Sequence, residues 1–341
     1  MHLTLLVPEL IWPEPDDQFT LGKLSAPGLA WLLAHAQFKQ GPRRPFEYSL
    51  ADQFGVTTAA FGPLRLLGEG EAQAGTGHWF CADPVHLRFH HERIVLADAG
   101  AFELDREEAL AIADSLNQMF ADIGVFHVSD TRRWYLQLNA AVDHPVAPIS
   151  AVAGRRMDSE LPQGDPTLSR WLNEVQMFLH GHPVNEARQR QGKPAINSLW
   201  LWGGGSLPAT CRTDHRAVFA DNPLACGLAQ ASQIPYQALP ENLSALLPQS
   251  GSTLVVLDSL LPPVLYEDGP GWRSAFEALE KNWFSPLKNA LGKQVDRIDL
   301  IAPTIYGELH ATITAGERWK FWKKARPLPD TARQLAENAH S

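Results

Sequence analysis

The feature that most constrains the fold is an apolar run from Asn197 to Trp202 that ends abruptly in Gly203, Gly204 and Gly205. A short apolar run bounded by glycines is typical of a buried strand. Open α/β sheets bind ligands where their strands end, and backbone that carries no side chain can approach a ligand closely. The pattern therefore predicts a buried strand whose glycine-rich end lies at a binding cleft. The alternative is a buried strand followed by a plain turn.

Two segments of the chain resemble one protein family. Residues 180–208, and within them the run 197–205, resemble the part of archaeal-type cofactor-independent phosphoglycerate mutases in which an N-x-x-W-L-W-G-x-G strand enters an alkaline-phosphatase-like core. The chain resembles still more closely a bacterial group labelled phosphoglycerate mutase-like, or regulatory protein of the RpfE type. Residues 78–117 resemble the inserted domain of the same family. With looser agreement at both ends, the resemblance covers most of the chain.

The resemblance implies an α/β fold, in which a parallel sheet of the alkaline-phosphatase type is flanked by helices and carries an inserted α+β domain. Strands that alternate with helices also favour a parallel sheet with right-handed crossovers. We therefore assign residues 1–71 and 161–330 to one discontinuous core, residues 72–160 to the insert, and residues 331–341 to a polar tail.

Local patterns predict the individual elements of that fold. The predicted core strands are His2–Val7, Ala217–Ala220, Ser252–Leu257, Arg297–Ile301 and Tyr306–Thr314, besides the run that begins at Asn197. The predicted helices are Ala26–Phe38 with Ser25 as its N-cap, Asp105–Phe120, Leu168–Leu179, Pro223–Ala231 and Trp272–Leu291. Residues 40–77 are glycine-rich and are predicted as linker and loop with one short helix.

Composition excludes several classes of protein. The 341 residues, 45% hydrophobic and 20% charged, fit a globular protein with two structural units. The net charge of −9 argues against nucleic acid or an anionic membrane as partner. No apolar run is long enough to span a bilayer, and the start lacks the basic flank of a signal peptide. Three cysteines far apart predict neither a disulfide framework nor a zinc site, so we expect a cytoplasmic protein.

The residues that would hold metal in this family are largely missing. The resemblance implies two divalent cations on Asp and His ligands, which neutralise the charge of an in-line phosphoryl transfer to a hydroxyl. The D-x-A-G-H-like motif is reduced to Asp258 without a histidine, and the D-H-like motif falls near Thr304 with neither ligand. Glu9 follows the first strand where the family has Asp, and the nearest hydroxyls belong to Thr20 and Ser25. We therefore expect neither a bound metal nor any other cofactor.

The anion-gripping residues of the inserted domain are also replaced. The family carries a D-R-R-A-G-R stretch there, whereas residues 96–102 read LADAGAF, so the guanidinium groups that pair bidentately with anions are gone. The preceding strand carries Asp83, His86 and Arg88 instead. Strand alternation places His86 and Arg88 on one face, where they could bind an anion. The alternative is a solvated strand whose polar groups are satisfied.

A cationic–aromatic segment, residues 318–324, reads RWKFWKK. Such a segment suits base stacking or a membrane surface. The commoner arrangement, which we expect here, is an edge strand with its aromatic side chains on the core and its lysines outward.

The leading functional hypothesis is a non-catalytic, mutase-like regulatory protein that binds a small anionic ligand or a protein partner. Its candidate cleft consists of Glu9, Ser25, Asn197, Trp202, Gly203, Gly204, Gly205, Asp258 and Thr304. One alternative is a phosphotransfer enzyme with a divalent metal site rebuilt from Glu9, Asp16, Asp17, Asp214, His215 and Asp258. The other is a scaffold whose former active-site face has become an interaction surface.

Overall fold

The computed structural model of the chain describes residues 1–22, 24–90, 93–142, 145–154, 166–246, 251–320, 322–325 and 327–340. The chain forms two compact units. The core unit comprises Met1–Gly55 and Arg212–Ser341, and the insert unit comprises Val56–Cys211. The insert unit is longer at both ends than residues 72–160, which the sequence suggested.

Twelve strands and fourteen α-helices make up the described chain. The strands are β1 (His2–Leu6), β2 (Gln37–Gly41), β3 (His78–His90), β4 (Arg93–Asp98), β5 (Gly124–Asp130), β6 (Arg133–Leu138), β7 (Ser198–Gly205), β8 (Ala217–Phe219), β9 (Tyr236–Gln237), β10 (Ser252–Val256), β11 (Arg297–Thr304) and β12 (Gly307–Thr314). The helices are α1 (Gln18–Leu21), α2 (Pro27–His35), α3 (Phe46–Asp52), α4 (Phe61–Gly68), α5 (Arg106–Met119), α6 (Ile149–Val152), α7 (Pro166–His180), α8 (Pro183–Arg190), α9 (Pro223–Ala231), α10 (Leu243–Leu246), α11 (Leu261–Leu265), α12 (Gly269–Leu279), α13 (Ser285–Ala290) and α14 (Leu328–His340).

The core unit is built on a seven-stranded sheet in the order β2-β12-β11-β1-β10-β8-β9. All neighbours from β11 to β9 are parallel, and β12 runs antiparallel to both β11 and β2. The central strands β1 and β10 are almost wholly buried, as expected for parallel strands covered on both faces. The predicted fold class, an α/β protein with a parallel sheet flanked by helices, is confirmed.

The insert unit is built on an antiparallel sheet around the long strand β3. β3 pairs with β4, β6 and β7, and β5 pairs with β6. The apolar run that begins at Asn197 therefore forms β7, a partner of β3, with Trp202 opposite Cys81 and Trp200 opposite Asp83. Its predicted place in the core sheet is wrong, because an apolar run specifies burial but not the strand with which it pairs.

Glycines at the end of β7 allow a close approach between elements of the insert unit. A Cβ atom at Gly203 would lie 2.8 Å from the Cβ atom of Phe61 in α4, and one at Gly204 would overlap the ring of Phe80 in β3. Gly203 also has a φ of 65°, which favours glycine over any residue with a side chain. The space beside these glycines is filled by the chain itself, which matches the plain alternative rather than a ligand cleft.

Three other segments differ from the sequence-based prediction. The helix predicted over Ala26–Phe38 ends early, because Gln37–Gly41 pairs with β12 as an edge strand. Residues 40–77, predicted mainly as loop, contain α3 and α4. The predicted polar tail belongs to α14, whose apolar side chains are buried in the hydrophobic core of the unit. In each case contacts with distant segments outweigh the local pattern.

The cationic–aromatic segment does not form an edge strand. Ala315–Trp319 is a 3₁₀-helix, and the side chains of Trp319 and Trp322 are 76% and 65% exposed. The prediction that the aromatic side chains face the core is wrong for these two residues, and Phe321 lies outside the described residues. Among the helices described, none combines the length and the apolar character that crossing a membrane would require.

We expect Gly204→Val to destabilise the protein by roughly 1–3 kcal/mol or more, because the new side chain would overlap the Phe80 ring in a packed core. Urea unfolding measures the loss. Gly181→Val is the matched control, since a Cβ atom there meets nothing within 4 Å. Equal stability of the two variants would contradict the packing role of Gly204.

Candidate functional site

Three predicted cleft residues lie along one edge of the core sheet, which we call the carboxyl edge. Glu9 follows β1, Asp258 follows β10, and Thr304 ends β11. These three strands are neighbours and run parallel. Open α/β sheets bind ligands beyond the carboxyl ends of their strands. The structure therefore brings Glu9, Asp258 and Thr304 to the edge where a ligand site is expected.

Backbone contacts hold Glu9 and Thr304 in place at this edge. Glu9 is 6% exposed and has a φ of 55°, an unusual value for a residue with a side chain. Its N–H donates to the carbonyl of Pro303 at 2.9 Å, and its carbonyl accepts from Nε1 of Trp272 at 3.0 Å. The hydroxyl of Thr304 donates to the carbonyl of Gly307 at 2.8 Å, so it closes the β11–β12 turn.

Asp258 is tied to the start of α9. Nδ2 of Asn222 donates to Oδ2 of Asp258 at 3.0 Å, while Oδ1 of Asn222 accepts from the N–H of Leu224 as the N-cap of α9. Burial raises the pKa of Asp258 above its ordinary value, and nearby Asp221 raises it further, although the Asn222 hydrogen bond lowers it. These surroundings disfavour the carboxylate form of Asp258.

The N-terminus of α2 is closed by a carboxylate that the sequence analysis missed. The N-cap is Ala26, whose side chain makes no capping hydrogen bond, and Ser25 is exposed, so the prediction of Ser25 as N-cap is wrong. Instead, Glu280 accepts from the N–H of Gly28 at 2.6 Å and from the N–H of Leu29 at 3.0 Å. Glu280 is only 6% exposed, so its charge is held by these donors inside the unit.

A π-helical turn, Glu280–Phe284, brings the Glu280 carboxylate to that position. It lies between α12 and α13, and the hydroxyl of Ser285 donates to Glu280 at 2.6 Å. The turn approaches α2 so closely that a Cβ atom at Gly28 would overlap the backbone of Ser285. Glu280 and Gly28 are 252 residues apart in sequence, and no local pattern predicts that they meet.

The residues of the alternative metal site do not assemble. Asp16 pairs with Arg333 at 3.1 Å, and Asp17 accepts from the N–H of Phe19 at 2.9 Å as the N-cap of α1. The imidazole of His215 contacts Ser252, the first residue of β10, whereas Asp258 follows the other end of that strand. At about 3.3 Å per residue, Ser252 and Asp258 are roughly 20 Å apart, far too distant for His215 and Asp258 to share a metal ion.

In the insert unit, Asp83 is a structural partner rather than a ligand-binding group. Arg65 of α4 donates to both oxygens of Asp83, at 2.9 and 2.6 Å, and Nε1 of Trp202 donates to Asp83 at 2.8 Å. Nε of the same guanidinium donates to the hydroxyl of Tyr135 at 2.9 Å, and Nη2 also donates to the carbonyl of Trp134 at 3.2 Å. This bidentate pair is buried, so it would be costly to break. The sequence signal for it was an arginine within the apolar run of α4.

Two other predicted residues of the insert unit also have structural roles. Nδ1 of His86 lies 2.8 Å from the carbonyl of Ala195. The amide of Asn197 accepts from the N–H of Leu87 and donates to its carbonyl, both at 2.7 Å. Arg88 is exposed. The residues Asn197, Trp202, Gly203, Gly204 and Gly205 therefore belong to the insert unit, whereas Glu9, Asp258 and Thr304 belong to the core unit.

The donor set does not fit the two-metal site implied by the resemblance. Within the part of the chain that the structure describes, no three His, Cys, Asp or Glu side chains are placed to hold a metal ion together. A divalent cation prefers several carboxylate oxygens, and a two-cation site needs two such sets about 4 Å apart. At the carboxyl edge, Asp258 is held by an amide, and the histidine of β1, His2, lies at the other end of that strand from Glu9.

The mostly parallel sheet of the core unit, flanked by helices, makes this an α/β protein. Its homologues in sequence are 2,3-bisphosphoglycerate-independent phosphoglycerate mutases, so the resemblance to that family is confirmed. The Methanosarcina barkeri enzyme is 29% identical over 154 residues, which cover 43% of this chain and 37% of that protein. The Methanosarcina mazei enzyme is 27% identical over 143 residues, covering 40% and 36%. A probable enzyme of Geobacter sulfurreducens is 24% identical over 156 residues, covering 43% and 38%.

The matched segments thus span well under half of these relatives' length. No known family profile matches the chain. Among solved structures, the PH0037 protein from Pyrococcus horikoshii has a TM-score of 0.54 at 13% identity, covering 99% of this chain and 96% of that one. The cofactor-independent phosphoglycerate mutase from Thermoplasma acidophilum has a TM-score of 0.43 at 18% identity, covering 98% and 100%. Of these two, only the PH0037 protein, with a TM-score above 0.5, supports the assignment of the fold.

His215 should make the stability of the protein depend on pH. Burial lowers its pKa to about 4 from an ordinary 6.5, so the unfolded chain binds more protons between these values. The stability that the neutral His215 contributes is therefore fully present above about pH 6.5, and this contribution is lost as the pH falls toward 4. Between pH 7.5 and pH 5 we expect the wild type to lose about 2 kcal/mol more than His215→Asn in urea unfolding. The control is His180→Asn, at an exposed histidine. Parallel pH profiles for the wild type and His215→Asn would contradict this role.

Proposed function

We propose that this chain is a phosphoglycerate mutase-like protein that does not carry out mutase chemistry and acts by binding a small anionic ligand in a regulatory role. The observation that carries the non-catalytic part of the proposal is the position of the Glu280 carboxylate on the N-terminus of α2. Along the chain, α2 connects β1 to β2, and these two strands run in the same direction within the sheet. A helix in such a connection runs back against the strands, so its N-terminus lies toward the carboxyl edge. A helix N-terminus is a ready anion site, and here a side chain of the same chain fills it.

The chemistry of the carboxyl edge supports the same proposal. Phosphoryl transfer needs a nucleophile and cations that neutralise the moving charge. Ser25 is exposed rather than held in a site, and the hydroxyl of Thr304 is used by a turn. Asp258 lies in surroundings that raise its pKa. Each residue that the resemblance singles out for chemistry therefore has a contact or an environment that suits a structural role.

The phosphotransferase alternative requires its carboxylates and histidine at one place. Its candidates are divided between an ion pair with Arg333, the N-cap of α1, and opposite ends of β10. No single substitution or side-chain rotation brings His215 to Asp258 across the length of that strand. This separation of the candidates counts against the phosphotransferase alternative.

The purified protein should not interconvert 2- and 3-phosphoglycerate in the presence of Mn²⁺ or Mg²⁺, because no described residues form a two-cation site. Phosphorus NMR of the substrate mixture measures the conversion directly. An active cofactor-independent mutase, assayed in the same buffer, is the positive control. Metal-dependent turnover above a protein-free blank would overturn the proposal and favour the phosphotransferase.

Glu280→Ala should lower the free energy of unfolding by roughly 2–4 kcal/mol, because it leaves two buried N–H groups without an acceptor. Acetate or phosphate should then raise the Tm of this variant more than that of the wild type, since a small anion can take the place of the carboxylate. Glu277→Ala, an exposed change in the last turn of α12 just before Glu280, is the control. If anions stabilise all three proteins equally, Glu280 does not occupy an anion site.

A further inference from the structure

A cavity of about 740 Å³ opens in the core unit, bounded by the end of α2, the edge strand β2 and the C-terminal helix α14. Its volume lies within the range of small-molecule sites. Its floor is apolar and includes Leu33, Ala36 and Leu309, all of which are buried. No residue of the carboxyl edge lines it.

The walls of the cavity are fixed by contacts within the unit. Nε2 of Gln40 donates to the carbonyl of Leu335 at 3.2 Å, and Nδ2 of Asn338 donates to Oε1 of Gln40 at 3.0 Å. These bonds tie α14 to β2, and the apolar face of the helix packs into the core. The cavity is therefore formed before any ligand arrives, which reduces the ordering cost of binding.

Three lysines line the same cavity: Lys39 on β2, and Lys323 and Lys324 on the segment before α14. Glu317 accepts from Lys323 at 3.1 Å. Among the described residues, neither Lys39 nor Lys324 has a carboxylate within ion-pair distance. In a chain of net charge −9, two uncompensated ammonium groups beside one cavity attract an anion locally.

We propose that this cavity binds an amphiphilic anion, with a carboxylate or phosphate head at Lys39 and Lys324 and an aliphatic chain on the apolar floor. The proposal rests on the function proposed above and names the class of its ligand. An aliphatic chain buries apolar surface against Leu33, Ala36 and Leu309, which the small polar body of a phosphoglycerate does not do. A cationic amphiphile would fit the floor but meet the lysines with like charge.

The test is a calorimetric titration of the full chain with decanoate below its micelle concentration. Acetate, which has the head without the chain, and decyltrimethylammonium, which has the chain without the negative charge, are the matched ligands. We expect saturable decanoate binding with one site, and neither other ligand should bind comparably. The double charge reversal Lys39→Glu with Lys324→Glu should weaken decanoate binding about tenfold or more. Lys281→Glu with Lys293→Glu, at exposed lysines elsewhere in the core unit, should leave it unchanged.

Ala34→Trp, which places a large side chain in the cavity, tests the same site without a change of charge. It should abolish decanoate binding while circular dichroism stays that of the wild type. Flotation with phosphatidylglycerol vesicles distinguishes a free amphiphile from a membrane lipid as the source of the ligand. Decanoate binding that survives both Ala34→Trp and the charge reversal would overturn the proposal, as would binding of vesicles without binding of decanoate. If the protein lacks mutase activity and also does not bind decanoate, only the proposed cavity site is overturned. If it has mutase activity, the proposed function is overturned, whether or not an amphiphile binds.

Discussion

The carboxylate of Glu280 determines what the carboxyl edge of this protein can do. It accepts from two N–H groups at the start of α2 and from the hydroxyl of Ser285, and it is almost completely buried. A buried charge is tolerated only where its hydrogen bonds are made. Because the donors of the helix N-terminus are already used, a second anion at that position would meet both occupied donors and a like charge.

In the insert unit, too, buried charged side chains are satisfied by partners within the chain. The guanidinium of Arg65 is shared between Asp83 and Tyr135, and Trp202 completes the shell of the carboxylate. Residue types that suggest ligand binding in the sequence, an aspartate beside a strand end and a tryptophan before glycines, instead satisfy one another. Among the lysines that line the cavity, Lys39 and Lys324 have no carboxylate within ion-pair distance in the described chain. Both lie beside the apolar floor of the cavity rather than at the carboxyl edge.

This division between fold and chemistry explains how the chain resembles phosphoglycerate mutases without their ligand set. The parallel sheet is maintained by apolar strands such as β1 and β10, whose packing does not depend on the residues beyond their ends. The site depends on a few side chains at those ends, and replacing them leaves the sheet intact. A fold therefore persists where its original chemistry need not, and function has to be argued from the site.

Local signals in the sequence determined the elements of this protein that need no distant partner. Mainly apolar runs predicted β1 and β10. Asp105 with Glu108 marked the start of α5, where the N–H of Asp105 donates to Glu108 at 3.1 Å. The metal motifs missing at Asp258 and Thr304 could also be read directly. Such features depend on neighbours a few residues away, so the sequence displays them.

Only the tertiary structure decided the pairing of β7 with β3, the edge strand that ends α2 early, and the contact between Glu280 and Gly28. Each joins segments whose patterns specify burial or polarity but not a partner. The glycines after Trp202 illustrate the reason. Glycine permits a close approach of any kind, and whether a ligand or the Phe80 ring fills the space depends on which elements pack there. Packing is a property of the assembled chain, so it settles what a local pattern leaves open.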